Sequence, residues 1–322
     1  GLREAVIVVD EAGMLDLHTL AALTTHARTN GARVILVGDD RQLAPVGVAG
    51  GFALAKAGSD VVALTEAKRF TDPAHAELAN RWRTGTDLDA IAGDVLAARL
   101  VRIHATEEDA QVALAETAAA NRNAVVMVAD NATAVTVNRL TRAEHQHAGH
   151  VGSATGKLGR LGEDIGVGDL VQTRSNDRQL GVINRQRWTV TTIDPDGGMV
   201  LTRADQNSHA LAPVTVRLDA GYVAAHVHRA DAVTVHAAQG ATADEGHALL
   251  DSSWTREQAY VALTRGRSRT VLHVVADDHE DARDLLVRVL GSSDTASAAA
   301  LVAATTQRAH EARVDVAPGI GD

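Results

Sequence analysis

The stretch "AVIVVDEAGML" (residues 5–15) decides the fold. Its β-branched run, 5–10, fits a parallel strand buried on both faces. Two acids, Asp10 and Glu11, stand at its carboxyl end, where open α/β sheets bind ligands. A carboxylate there can hold magnesium through water, and its neighbour can orient or deprotonate an attacking water. Two solvated acids at a strand end are the plainer reading of a lone "DE", so other motifs must decide.

Working outward, Asp16 caps a helix carrying Leu17, Leu20 and Leu23 on one face, and the helix ends near Asn30-Gly31. A second buried strand follows, "RVILVGD" (33–39), so strand, helix and strand form an α/β unit. "DVVAL" (60–64) is the expected third strand. The second strand runs into "VGDDRQLAPVGVAGGF" (37–52). There Gly38 gives a tight turn, Asp39 sits at the strand end, and Gln42 points an amide into the same crevice. A neutral amide can hydrogen-bond a γ-phosphate or the attacking water.

Residues 72–122 read as mostly helical. "AVVMVAD" (124–130) is another buried strand, with a helix over 132–145 and a Gly-rich loop over 146–162. The pattern then changes. "DLVQTR", "RWTVTTI", "GMVLTR" and "APVTVRL" are short alternating strands with turns such as "DPDGG" (194–198), which predicts a small β-barrel or meander. "AVTVH" (232–236) and "TVLHVVA" (270–276) return to buried-strand character, so the barrel is an insertion within one α/β domain. From about 281 the tail starts helical and frays by 314–322.

The chain has 322 residues, which favours about two domains. An apolar fraction of 45% fills ordinary cores, but aromatics are only 2%, so Ala, Val, Leu and Ile must build them. With no cysteine, disulfides and thiolate metal sites are excluded. No apolar run reaches the ~20 residues that span a bilayer, and no signal peptide is visible, so the expected location is cytoplasmic. The first residue is not Met and lies just before a strand, which reads as a cut through a longer protein. A net charge of −10 argues against a nucleic-acid coat protein. It leaves open a local groove gripping one strand, because screening favours local charge. The lysines are Lys56, Lys68 and Lys157; the remaining basic charge is arginine, which forks onto phosphate with two donors.

Three further motifs carry chemistry. "LTEAKRF" (64–70) contributes Arg69, and "YVALTRGRSR" (260–269) contributes Arg265 and Arg267. An arginine inserted at a transferring phosphoryl group is worth about 10³ to 10⁵ in rate; any single arginine is more often a surface residue. "AVTVHAAQGATADEG" (232–246) reads as a strand and a polar turn, where His236, Gln239 and Thr242 can face a cleft. Amides near Gly240 can meet a phosphate. His236 alone would read as a core histidine.

The ordered set "VVDEAG", "VGDDRQL", "LTEAKRF", "VTVHAAQGAT" and "YVALTRGR" resembles motifs II to VI of superfamily 1 helicases of the RecD-like branch. Residues 165–191 resemble the SH3-like barrel of that branch. In detail the chain is most similar to the helicase half of actinobacterial MobF-type conjugative relaxases, over about residues 3–280. The resemblance implies an α/β fold of two RecA-like (P-loop NTPase) lobes, the first incomplete, with a small SH3-like β-barrel inserted in the second. Residues 1–64 would be the later part of the first lobe and 65–160 the start of the second. Residues 161–218 would be the barrel, 219–280 the rest of the second lobe, and 281–322 a helical to disordered tail.

The resemblance implies roles as well. Asp10 would hold Mg2+ and Glu11 would activate water. Gln42 would couple the γ-phosphate to movement, and Arg69 and Arg265 would be arginine fingers. Gly38, Asp39, Gln239, Gly240 and Arg267 would line the ATP site. His236 and Thr242 would lie near the DNA backbone. Arg174, Arg178, Arg185 and Arg187 fall in the barrel with only Asp177 opposing them; they are a strand contact or a solvated face. Trp188 and Trp254 are candidate stacking platforms for bases. The implied cofactors are Mg2+ and ATP in the complete protein. The implied partners are single-stranded DNA and conjugation machinery, without a membrane segment.

The departure from the pattern is the phosphate loop G-x-x-x-x-G-K-[ST], expected before "VVDEAG" and absent here. "GSATGKL" (152–158) mimics it with too few residues between its glycines and a leucine in place of the hydroxyl, and reads as a linker. The histidines of "EHQHAGH" (144–150) read as a solvated loop rather than metal ligands. The parent is therefore expected to be an ATP-dependent DNA helicase, and this chain to be inactive alone. The alternatives are a RecD-like repair helicase and a catalytically incomplete nucleic-acid-binding module.

Overall fold

The computed structural model describes residues 5–39, 42–43, 51–64, 70–152, 157–204 and 213–293. Strand β1 (Val6–Val9) pairs in parallel with β2 (Arg33–Leu36), Val6 opposite Arg33. Between them runs α1 (Leu17–Thr29). Asp16 caps it by accepting from Thr19 N at 2.9 Å, and Gly31, at φ 65°, turns the chain out. A short helix α2 (Gly51–Ala57) follows. Two expectations fail here. Residues 60–64 form no strand, and Val62 and Leu64 are about nine-tenths exposed; a strand exists only through pairing, and this run has no partner among the described residues. Nor is β1 buried on both faces, since Val6 and Val8 are more than half exposed.

The next segment is α3 (Pro73–Thr84), α4 (Leu88–Ala97), β3 (Val101–His104), α5 (Glu107–Ala120), β4 (Val125–Val128) and α6 (Asn131–His147). Strand β3 lies inside the run expected to be mostly helical. Its four residues, "VRIH", are too short to stand out between two Ala-rich helices. Each of α3, α5 and α6 is capped by the side chain of the residue before it: Asp72, Thr106 and Asp130.

After the short pair β5 (Lys157–Leu158) and β6 (Asp164–Ile165) come β7 (Leu170–Thr173), β8 (Arg187–Ile193), β9 (Met199–Arg203) and β10 (Thr215–Leu218). Helix α7 (Ala220–His226) then leads into β11 (Val227–Arg229). These form an antiparallel sheet of order β10-β9-β8-β7-β11. The four alternating strands fall where the sequence places them, and β11 is an addition. Trp188, Met199, Leu201 and Leu218 form its own apolar core.

Then β12 (Ala232–Thr234), β13 (Ala243–Leu250), α8 (Arg256–Leu263), β14 (Gly266–Val275) and α9 (His279–Gly291) complete the described chain. The second α/β sheet is parallel throughout, in the order β12-β4-β13-β14-β3. Its central strand β13, "ADEGHALL", begins inside the expected polar turn, because Asp244 and Glu245 mask its start. Trp82, Trp254, Ile91, Leu263 and Leu286 fill the main core, and Leu43 joins it from the segment after β2. Trp188 and Trp254 are fully buried, so neither is a stacking platform for bases. Among the described residues no helix is long and apolar enough to cross a membrane.

Candidate nucleotide cleft and its arginine rim

Local geometry brings the two acidic strand ends together. The amide of Ala12 donates to Val37 O at 2.8 Å, joining the end of β1 to that of β2. Glycine is required there: a Cβ on Gly38 would lie 3.0 Å from Gly13 N and 3.1 Å from Ala12 N. Asp10 and Glu11 are both exposed. Glu11 adopts φ 52°, a left-handed conformation that a non-glycine residue rarely takes, and its amide donates to Asp10 Oδ1 at 2.9 Å. These hard oxygen donors at a strand end suit a hydrated divalent cation. No cluster of three metal-ligating side chains occurs among the described residues.

Asp39 meets the second α/β unit. Arg83 Nη2, from the last turn of α3, lies 3.2 Å from Asp39 Oδ1. Tyr260 on α8 donates to Asp39 Oδ2 at 3.5 Å, and Gln42 Nε2 to the same oxygen at 3.4 Å. Neither Arg83 nor Tyr260 is a candidate by sequence. Their pairing spans up to 221 residues of chain, and no local pattern announces it.

Arg265 lies two residues past the end of α8 and is 1% exposed. Its guanidinium donates to Val261 O, Ala241 O and Thr264 Oγ1 at 2.9, 2.9 and 2.8 Å. Here it braces the turn before β13 rather than projecting into an open crevice. Arg267 is exposed, and its carbonyl accepts from Thr71 N at 2.9 Å. Arg69 lies outside the described residues. Gln239 is buried with no hydrogen-bond partner for Oε1. Gly240, at φ 84°, faces open space, Thr242 is exposed, and His236 is half-buried. An orphaned buried amide oxygen beside an open glycine turn offers hydrogen-bonding capacity to a ligand.

The four barrel arginines separate. Arg178 is exposed. Arg187 donates to Arg122 O at 3.2 Å. Arg185 reaches the first unit, its guanidinium nitrogens 3.6 and 3.7 Å from Met14 Sδ. Arg174 donates to Gln172 Oε1 at 3.2 Å. The histidine-rich stretch also differs from expectation. Helix α6 continues through His147, and His145 is 1% exposed, its Nε2 3.9 Å from Asp231 Oδ1. Most of the phosphate-loop mimic lies outside the described residues, and what precedes it is α6 rather than a strand.

A parallel α/β architecture with paired acidic strand ends fits the fold of RecA-like lobes. A family model described as "AAA domain" matches residues 2–108. The RecBCD enzyme subunit RecD of Mycolicibacterium smegmatis is 32% identical over 290 residues, 83% of this chain and 50% of that protein. The probable conjugal transfer protein TraA of Sinorhizobium fredii is 24% identical over 281 residues, 82% of this chain and 24% of that protein. This chain therefore spans at most half the length of either relative. Among solved structures, Pif1 helicase from Bacteroides in complex with ADP-AlF3 and ssDNA shares the fold. Its TM-score is 0.55 at 18% identity, over 86% of this chain and 71% of that one. The chain is thus similar in sequence to RecD and in fold to Pif1 helicase.

Proposed function

We propose that this chain is the motor region of an ATP-dependent DNA helicase or translocase, and that its parent is a conjugative relaxase. The observation that carries the reading is the locked pair of strand ends, Asp10-Glu11 and Asp39-Gln42, faced by side chains of the second α/β unit. Residues 1–64 act as the later part of one lobe. Residues 65–160 and 219–280 act as the other, with 161–218 as an SH3-like insert and 281–322 as a tail. The 32% identity to RecD favours a second reading, a repair helicase of that type.

The side chains divide the work as follows. Asp10 would hold Mg2+, which would supply neutralisation of phosphate charge. Glu11 accepts a proton from the attacking water. Gln42 senses the γ-phosphate, and Asp39 relays its position to α3 and α8 through Arg83 and Tyr260. Gly38, Gln239, Gly240 and Arg267 border the nucleotide. Arg69 and Arg265 stabilise charge on the transferring group. For Arg265 this requires exchanging carbonyl partners for phosphate oxygens as the lobes close. His236 and Thr242 sit toward the DNA. The likeness to a Pif1 complex that holds ADP-AlF3 and ssDNA supports these ligand classes.

Two measurements test the reading. The 322-residue chain, whose sequence contains no G-x-x-x-x-G-K-[ST], is expected to show no DNA-stimulated ATP hydrolysis. It is expected to retain salt-dependent binding of single-stranded DNA. Turnover by the purified chain would refute the expected inactivity. Absence of strand binding would refute the motor reading for this region.

A further inference from the structure

Three arginines from three segments converge where the antiparallel sheet meets the first unit. The backbone pins them. Arg160 N donates to Val227 O at 2.7 Å and Arg174 N to His226 O at 2.8 Å, so both attach at the start of β11. Arg185 N donates to Thr173 O at 2.7 Å, placing it next to Arg174. Arg185 holds φ 69°, a strained conformation for a bulky residue.

Arg174 and Arg185 are half-buried and Arg160 is exposed, and the cluster lacks a counterion. Among the described residues no carboxylate lies within ion-pair distance of Arg160, Arg174 or Arg185. Burial and the charges of Arg185 and Arg160 push Arg174 below the ordinary guanidinium range. The carboxylate whose field reaches Arg185 is that of Glu11. Beside them His228, 3% exposed, is held neutral, its pKa lowered to about 4 by burial and then by Arg174 and Arg160. Arg185 Nε and His228 Nδ1 are buried with no hydrogen-bond partner. Like charges crowded and partly desolvated without a counterion cost stability. Orphaned nitrogens beside them add to that cost. An anion of phosphate geometry would satisfy both, because guanidinium groups fork onto phosphate oxygens.

We infer that Arg160, Arg174 and Arg185 form a phosphodiester-binding subsite that grips the backbone of a single-stranded nucleic acid beside Met14 and the end of β1. The inference rests on the motor reading for its ligand class. It narrows the contact from a general basic face to one site, adds Arg160, and leaves out Arg178 and Arg187.

The test is fluorescence anisotropy of labelled oligo-dT and oligo-U against the 322-residue chain over a salt series. Arg160→Gln, Arg174→Gln and Arg185→Gln are each expected to weaken binding several-fold. Each is also expected to flatten the log–log salt slope by about 0.7 for every phosphate that the site no longer neutralises. Arg217→Gln, on the far strand β10, which removes a bridge to Asp194, is expected to leave affinity unchanged. Thermal melts without nucleic acid separate a ligand site from a structural one. Arg174→Gln is expected to melt at or above the wild-type temperature, since it relieves repulsion. If the wild type binds and the three variants bind equally well, the subsite is wrong and the motor reading stands. Tripolyphosphate binding more tightly than either oligonucleotide would overturn the nucleic-acid assignment. If the wild type binds no strand, both fall together.

Discussion

Replacing Asp169 with alanine is expected to destabilise the chain by about 3–5 kcal/mol, the cost of stranding a buried charge. Asp169 is 1% exposed at the start of β7. Its Oδ1 accepts from Arg142 Nη1 at 2.5 Å, and its Oδ2 accepts from Gly166 N at 2.7 Å. Arg142 is on α6, so the pair fastens the antiparallel sheet to the second α/β unit. The network extends further. Arg229 bridges Asp231 at 2.6 Å and lies 3.9 Å from Asp169. Arg229 N donates to Glu163 Oε2 at 3.0 Å, and Asn138 Oδ1 accepts from Ala232 N at 2.7 Å. Arg229 keeps Asp231 in the variant, so Arg142 bears the loss. Urea unfolding measures it. The double variant Arg142→Met, Asp169→Leu is expected to recover much of the stability, because removing both charges removes the desolvation cost. A single variant within about 1 kcal/mol of wild type would mean that the network does not hold the sheet in place.

The second large effect is acid lability. His104, His273 and His247 lie on the neighbouring strands β3, β14 and β13. His104 Nε2 is 3.0 Å from His273 Nδ1, and His273 Nε2 is 3.2 Å from His247 Nδ1. Burial, then the neighbouring histidines, lowers His273 to about 3; His228 stands at about 4. Below the unfolded histidine value of about 6.5 the unfolded chain takes up protons that the fold refuses. Stability is therefore complete above that pH and is lost as pH falls toward the folded values. Each of these two histidines contributes about 2 kcal/mol of loss by about pH 5. Glu163 acts in the opposite sense, because burial raises its pKa, so wild type alone does not isolate the effect. The comparison that does is His273→Gln against wild type at about pH 7.5 and about pH 5. The variant is less stable at the higher pH through its broken chain, and the gap between the two narrows by about 2 kcal/mol at the lower. A constant gap would show that His273 does not titrate against folding.

Much of the fold was legible along the chain. Capped helices and β-branched runs such as "AVVMVAD" announce themselves within a few residues, because caps and periodicity are local. Strand β13 was not legible, since its first residues are charged and only pairing with β4 and β14 makes it a strand. The run 60–64 erred in the opposite direction: its residues favour a strand, but no neighbour among the described residues pairs with it. The candidate site divides in the same way. Asp10, Glu11, Asp39 and Gln42 could be named from two strand ends. Arg83 and Tyr260 could not, because their partner lies 44 and 221 residues away.

By itself the sequence carried the resemblance to RecD-like helicases, the order of the motifs behind it, the two acidic strand ends and the inserted antiparallel strands. Each of these is written in contiguous residues whose chemistry acts over a few bonds. Only the tertiary structure decided that Arg265 braces a turn, that Trp188 and Trp254 are core, and that Arg160 joins Arg174 and Arg185. Burial and charge proximity belong to the packed chain, because they depend on which distant segments exclude water from one another.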